Sequence, residues 1–281
     1  MKGVLFELDN IRLEISFKSL VELRLILSFY QKHNLCKINI PCKNNLKKEF
    51  LLNSIKLSRK EFPDIDIIPH FSVFHEFKNT CYRTHESFIK FLEVVKYQGC
   101  KEVLLVSGSQ KRSTLDSVEI LSLLKYNSFL DLNDLSIGVA FNPYLPNSIF
   151  EDEIIRLDKK LKSGIVSSIW IQFGTDIALL RSRIEILSRI ISSYNQSDSK
   201  INNIRLFGSV LIPSKQFLAR FKFRPWKGVY CSSEFLESLD YANRLIIDLL
   251  KTYKQYRIYP IIETNTSTEA YLESLKMLLK V

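Results

Sequence analysis

The residues of this chain best suited to chemistry do not gather in a single motif. Gln172 ends the apolar run SIWIQF (residues 168–173), inside a stretch bounded by Gly164 and Gly174. An amide offers donor and acceptor groups without charge, and a neutral polar residue at the C-terminal end of a barrel strand stands where barrel enzymes do their work. The other reading of the same segment is that Gln172 satisfies a buried backbone group. The four histidines, His33, His70, His75 and His85, make no HExxH pair, so metal catalysis has no support in the sequence. Cys36, Cys42, Cys81, Cys100 and Cys231 are odd in number and scattered, with no CxxC spacing. They read as reduced thiols and argue against both a disulfide framework and a zinc cluster. The densest basic cluster is RFKFRPWKG (220–228), where Arg220, Lys222, Arg224 and Lys227 interleave with Phe221, Phe223 and Trp226. That pattern suits stacking on bases, a barrel edge, or a patch attracting phosphates and carboxylates.

A strand-end amide needs a scaffold, and the chain supplies a regular one. Eight apolar or β-branched runs occur in order: RLEISF, KINIP, DIIPHFSV, EVLLVSG, LSIGVAF, SIWIQF, IRLFGSVLI and RIYPIIET. Between most of them lie segments with helical apolar spacing, such as SLVELRLILSFYQKH, HESFIKFLEVVKYQG, EDEIIRLDKKLKSG and SLDYANRLIIDLLKTYKQ. Strand and helix in alternation predict a parallel sheet with helical crossovers, and eight such units predict a closed (β/α)8 barrel. At 281 residues the chain fits one barrel domain spanning residues 1–281, since such barrels run near about 250 residues. Gly99 and Gly164 read as helix stops, Asp176 as the cap of the helix after SIWIQF, and Asn147 or Ser148 as the cap of FEDEIIRL. Two places break the repeat: VLFELDNIRLEI is expected to form a hairpin turning at Asp9 and Asn10, and FHEFKNTCYRTHES a long loop after the third strand. The polar YNQSDSKINN (194–203) is expected to be an exposed, mobile connection.

The net charge of +10 comes from Lys and Arg spread over the whole chain, without the single stripe that marks a nucleic-acid surface. A compositional bias in the source genome toward Lys, Ile and Asn is another origin of that charge. No apolar run reaches the roughly 18 residues that span a bilayer, so no membrane partner is expected. Glu7, Asp9 and Glu14 interrupt the N-terminal apolar pattern, unlike a cleavable leader or transit peptide, and the expected location is the cytoplasm.

NIPCKNN, IPHFSV, VLLVSGS, IGVAFNPYLPNS, LKSGIVSSIWIQFGTD and GSVLIPSKQF, in this order and at these spacings, resemble the methylenetetrahydrofolate reductase family over nearly the entire chain. The resemblance implies a (β/α)8 barrel. It also implies FAD as cofactor, NADH or NADPH as hydride source, and 5,10-methylenetetrahydrofolate as the substrate reduced to 5-methyltetrahydrofolate. By it, Glu14 is the glutamate that protonates the folate, with Glu7 as the fallback, and Gln172 binds the pterin. His70 lies beside the flavin, Lys160 faces its diphosphate, and Phe217 stacks on the ligand ring. The family's RGDxP becomes Ser107, Gly108, Ser109, Gln110 and Lys111, so Ser109 stands where a cofactor-holding aspartate is expected. Its YPExHPE becomes FNPYLPN, with Phe141 in place of a cofactor-side tyrosine and Leu145 in place of a histidine. Charge-assisted contacts are each worth about 1.5 to 3 kcal/mol, so these losses weaken the expected flavin site. Two readings follow. One is a reductase, either with a rebuilt FAD site or passing hydride directly from NAD(P)H to folate. The other is a folate-binding or regulatory barrel without redox chemistry, acting as a folate carrier or as the partner of an active paralogue; the resemblance also implies a homo-oligomer.

Overall fold

The computed structural model describes residues 5–42, 48–76, 80–108, 116–125, 134–197, 204–264 and 268–279. Eight strands, β1 (Arg12–Ile15), β2 (Lys37–Ile40), β3 (Asp66–Ser72), β4 (Glu102–Val106), β5 (Ser136–Phe141), β6 (Val166–Ile171), β7 (Arg205–Leu211) and β8 (Ile258–Thr264), close in sequence order into a barrel. Every neighbouring pair is parallel, including β8 with β1. All eight apolar runs of the sequence become these strands.

Helices α1 (Leu20–Lys32), α2 (Lys48–Glu61), α3 (Cys81–Tyr97), α4 (Ser117–Lys125), α5 (Asn147–Leu161) and α6 (Ile177–Ser197) follow the first six strands in turn. After β7 come three: α7 (Lys215–Phe223), the short α8 (Ser233–Glu237) and α9 (Leu239–Gln255). After β8, α10 (Glu269–Leu279) ends beside the N-terminal segment, where Leu5 N–H donates to Leu279 O at 2.8 Å. Gly99 and Gly164 adopt φ of +79° and +77° just beyond α3 and α5, the left-handed turn that stops a helix. Asp176 caps α6, its Oδ1 accepting from Leu179 N–H at 2.9 Å. Among the described residues no helix is long and apolar enough to cross a membrane.

Several local expectations are corrected. Leu8–Asn10 form a 3₁₀ turn, so no hairpin precedes β1. The chain cannot fold back there because β1 already has β2 and β8 on its two sides. Asn147 does not cap α5: it is the first helical residue, Pro146 precedes it, and its Oδ1 accepts from Arg183 at 2.7 Å. The loop after β3 is shorter than expected because α3 begins at Cys81, four residues before the HESF start, capped by Thr80, whose side chain accepts from Arg83 N–H. Residues 194–197 of the polar stretch continue α6, and 198–203 lie outside the described residues.

Two apolar layers hold the barrel. The larger packs the outer faces of the strands against the helices, and the smaller fills the inside with Ile68, Leu104, Trp170, Phe207 and Ile261. Trp170 and Phe207 stack with ring centroids 4.1 Å apart at 15°. Gly138 on β5 makes room for the indole, since a Cβ there would lie 2.3 Å from Trp170 Nε1. Below this plug, toward the N-terminal ends of the strands, the interior becomes ionic. Arg12, 4% exposed, donates to Asp66 at 2.5 Å, to Asn39 Oδ1 at 2.8 Å and to Ile38 O at 2.8 Å. Glu102, 3% exposed, accepts from Arg205 at 2.6 Å and from the Ser168 hydroxyl. Buried charges are tolerated when paired in this way, and the plug closes that end of the barrel.

Candidate active site at the barrel mouth

Side chains two residues apart on a strand share a face, so the interior positions already fixed by the plug identify those above it. Glu14 follows Arg12 on β1, His70 follows Ile68 on β3, Gln172 follows Trp170 beyond β6, and Glu263 follows Ile261 on β8. These four project inward at the C-terminal ends of their strands, the end at which barrel enzymes place catalytic groups. Glu14 and Glu263 are register partners across β1 and β8, and Glu14 is also paired with Asn39 across β1 and β2.

The β1–β3 wall is a connected polar chain. His70 Nε2 lies 3.9 Å from Glu14 Oε2 and 2.9 Å from Asn39 Nδ2, with the Glu14 side chain 17% exposed. Asn39 Oδ1 accepts from Arg12 Nε–H. Because arginine only donates, that bond fixes the amide's orientation and leaves Nδ2 as a donor toward the imidazole. His70 Nε2 is then the acceptor and the ring proton sits on Nδ1. Two residues further along β3, Ser72 Oγ is buried and has no hydrogen-bond partner among the described residues.

The opposite wall is covered by a strap, residues 224–232, running from α7 to α8. Asn142 Nδ2 donates to Gly228 O at 3.1 Å, Thr175 N–H donates to Tyr230 O at 3.0 Å, and Ser232 N–H donates to Thr175 Oγ1 at 2.7 Å. Gly174 bridges Tyr230 in the parallel sense, and Tyr230 stacks on Tyr144 at 6.4 Å. The strap passes directly over Gln172, whose Nε2 would lie 3.9 Å from a Cβ placed on Gly228. Gln172 is half-buried beneath it, its backbone N–H donating to Phe141 O at 2.9 Å. The FNPYLPN loop is gripped from α6 by Arg183, which donates to the carbonyls of Pro143 and Leu145.

The expected residues thus divide. Glu14 and His70 lie together at the mouth, and Gln172 is on the wall opposite. Glu7 is not there: it is exposed before β1, beside a concavity of about 420 Å³ shared with Lys254, Arg257 and Tyr259 at the opposite end of the barrel. Phe141 pairs in register with Ile171, faces outward, and sits 6.2 Å from the Phe150 ring in the helix layer. The inward position is Ala140, in register with Trp170. Lys160, 3% exposed, lies between α5 and the barrel wall with its ammonium donating to Ala140 O at 2.8 Å. Desolvation lowers its pKa, opposed by the charge of Glu153. Phe217 on α7 is half-buried in a ring cluster, 5.3 Å from Trp226 and 6.2 Å from Phe235. Ser109 lies outside the described residues. Asn39 and Glu263 join Glu14, His70 and Gln172 at the mouth, and the sequence signal for each is a polar residue inside an apolar strand run.

These placements test the flavin. Of the expected cofactor positions, Phe141 is turned into the helix layer and Lys160 is held by a main-chain carbonyl, so neither fits the role the resemblance gives it toward FAD, while His70 stands at the mouth. Among the described residues no group of three or more His, Cys, Asp or Glu is arranged to hold a metal ion.

The fold and mouth define a (β/α)8 barrel of enzyme-like form with acid, imidazole and amide groups at its C-terminal end. No family model matches the chain, and no curated protein does. Solved structures are similar in fold. They include a 2,3-dimethylmalate lyase of the PEP mutase/isocitrate lyase superfamily (TM-score 0.51, 8% identity, covering 95% of this chain and 78% of that one). A putative phosphonomutase from Burkholderia cenocepacia J2315 gives a TM-score of 0.50 at 8% identity, over 95% of this chain and 90% of that one. A chitinase domain from Pyrococcus furiosus gives 0.50 at 10%, over 90% and 83%. Identities this low speak to the barrel alone, since chemistry resides in the site.

Proposed function

We propose that this chain is a methylenetetrahydrofolate reductase-like oxidoreductase that works without a flavin. NADH or NADPH passes its hydride directly to the one-carbon bridge of bound 5,10-methylenetetrahydrofolate. The observation that carries this reading is the pairing of Glu14 with His70 at the mouth, with Gln172 on the wall opposite, while Phe141 and Lys160 are turned away from it.

In this mechanism Glu14 gives its proton to the bridge nitrogen that leaves. The carbon–nitrogen bond breaks with its electron pair on that nitrogen, and the iminium carbon accepts the hydride. The products are 5-methyltetrahydrofolate and oxidised nicotinamide, and one solvent proton restores Glu14. General-acid assistance of this kind is worth about 10²–10⁴ in rate. Gln172 presents donor and acceptor to the pterin edge, and the strap above it excludes water from that edge. Arg12 and Asn39 hold the His70 ring in one orientation beside Glu14.

The test is the visible spectrum of the purified protein before and after incubation with excess FAD, followed by NAD(P)H oxidation with and without methylenetetrahydrofolate. Folate-dependent oxidation by colourless protein supports the proposal. A retained flavin band overturns the flavin-free mechanism. Neither band nor turnover returns the chain to the folate-binding or regulatory reading, which the close cover of the strap over Gln172 favours.

A further inference from the structure

The segment that roofs Gln172 also carries a one-sided run of charge. From Leu206 to Ser233 there is no Asp or Glu, while Lys215, Arg220, Lys222, Arg224 and Lys227 contribute five cations. All five are exposed, and among the described residues none has an ion-pair partner. Elsewhere on the surface some basic residues sit against carboxylates, such as Lys162 with Asp158 at 2.6 Å, Arg24 with Glu61 at 2.7 Å and Lys276 with Glu273 at 2.8 Å, and others, such as Lys56, Lys90 and Arg189, stand singly among the described residues. A run of bases is ordinarily a solvated face, but this one carries a positioned aromatic. Trp226 is 46% exposed, yet its ring is held edge-on by Phe217 at 5.3 Å and Phe221 at 6.2 Å. Lys227 follows it and precedes Gly228, the residue bonded to Asn142 and lying over Gln172.

A fixed, half-exposed indole beside uncompensated cations, at the rim of a mouth that must admit a hydride donor, has the chemistry of a site for a phosphorylated nucleoside. Aromatic faces stack on purine rings. Cations without carboxylate partners bind phosphate, and an arginine beside the adenosine ribose is what accommodates a 2′-phosphate. Resting on the reductase reading, we propose that the 224–228 strap binds the adenosine 2′-phosphate end of NADPH, with Trp226 against the adenine and Arg224 and Lys227 on the phosphate. The enzyme therefore uses NADPH in preference to NADH.

Binding of adenosine 2′,5′-bisphosphate and of 5′-AMP, measured by calorimetry on the intact protein, tests this without any need for turnover. The bisphosphate is expected to bind about tenfold or more tighter than 5′-AMP, as one or two charge-assisted contacts allow. Arg224→Gln and Lys227→Gln should each remove most of that preference, and Trp226→Leu should weaken both ligands by about tenfold, the worth of one stacked base. With substrate, the same Arg224 and Lys227 variants should lower kcat/KM for NADPH toward that for NADH. Equal affinity for the two nucleotides, or inorganic phosphate competing as well as the bisphosphate, overturns the proposal. So does single-stranded RNA binding tighter than either nucleotide and lost in the same variants. Folate reduction with no nucleotide preference would leave the reductase standing and remove the strap's role. A bisphosphate preference lost in the variants, without folate reduction, would do the reverse.

Discussion

Asn39 Nδ2 lies 2.9 Å from His70 Nε2, the same ring nitrogen that lies 3.9 Å from Glu14 Oε2. Asn39 is buried on β2, with its carbonyl held by Arg12, so its amide has no freedom to flip. Asn39→Asp would replace the donor with a carboxylate facing the same ring nitrogen. His70 should then take up a second proton, and its ring nitrogens should change from one protonated and one bare to both protonated in ¹⁵N NMR. An unchanged Nδ1–H pattern in that variant would show that Asn39 does not set the tautomer.

Glu14→Gln should lower kcat by about 10²–10⁴ with KM little changed, since a general acid acts in the transition state. Glu7→Gln should have no effect, because Glu7 is at the opposite end of the barrel. Circular dichroism of both variants should match the parent. Comparable losses from the two substitutions would sink the assignment.

The plug inside the barrel should be sensitive to a single methyl group. A Cβ at Gly138 would lie 2.3 Å from Trp170 Nε1 and 2.5 Å from Ser168 Oγ. Gly138→Ala should therefore cost about 1–3 kcal/mol through overpacking, read as a lower urea midpoint. An unchanged midpoint would mean that Trp170 is not confined there.

Lys160 gives a pH signature. Burial lowers its pKa from the usual 10.5, so between the lowered value and 10.5 the unfolded chain binds more protons than the folded one. Stability must then rise with pH through that window. Below it the cost of burying the charge is present in full, and above it Lys160 is neutral in both states. Lys160→Met should remove this contribution, and urea titrations of parent and variant across the window measure it. A parent and variant with parallel pH dependence would contradict the buried ammonium.

The thiols should be slow nucleophiles near neutrality. Burial pushes Cys100 and Cys231 up to about 12 and Cys42 to about 11, and the thiolate is the reacting form. Under native conditions these three should resist a disulfide reagent that labels them at once in denaturant, as mass spectrometry would show.

All eight strands could be read from the sequence because each is a short apolar run between helical periods. What could not be read was which way residues face within them. Parallel barrel strands are buried on both faces, so the alternation that would have turned Phe141 outward and Ala140 inward is hidden in LSIGVAF. Lys160 sits in DKKLK and looks like any surface lysine; only its burial against Ala140 sets it apart. The polar residues within apolar runs were the usable signal. Gln172 carries that mark, and so do Asn39 in KINIP and Glu263 in RIYPIIET. The ionic plug of Arg12, Asp66, Glu102 and Arg205 depends on pairs 54 and 103 residues apart, which no local pattern reveals. The roles of Glu14 and Gln172 came from the family resemblance, and their shared place at the mouth from the barrel.

The most direct test of the central claim follows one hydrogen atom. Protein freed of any flavin is incubated in ordinary water with methylenetetrahydrofolate and NADPH deuterated at the transferring face of the nicotinamide, and the product is weighed. Direct transfer predicts 5-methyltetrahydrofolate with one deuterium in its methyl group for each nicotinamide oxidised. Unlabelled product, or none, would contradict it.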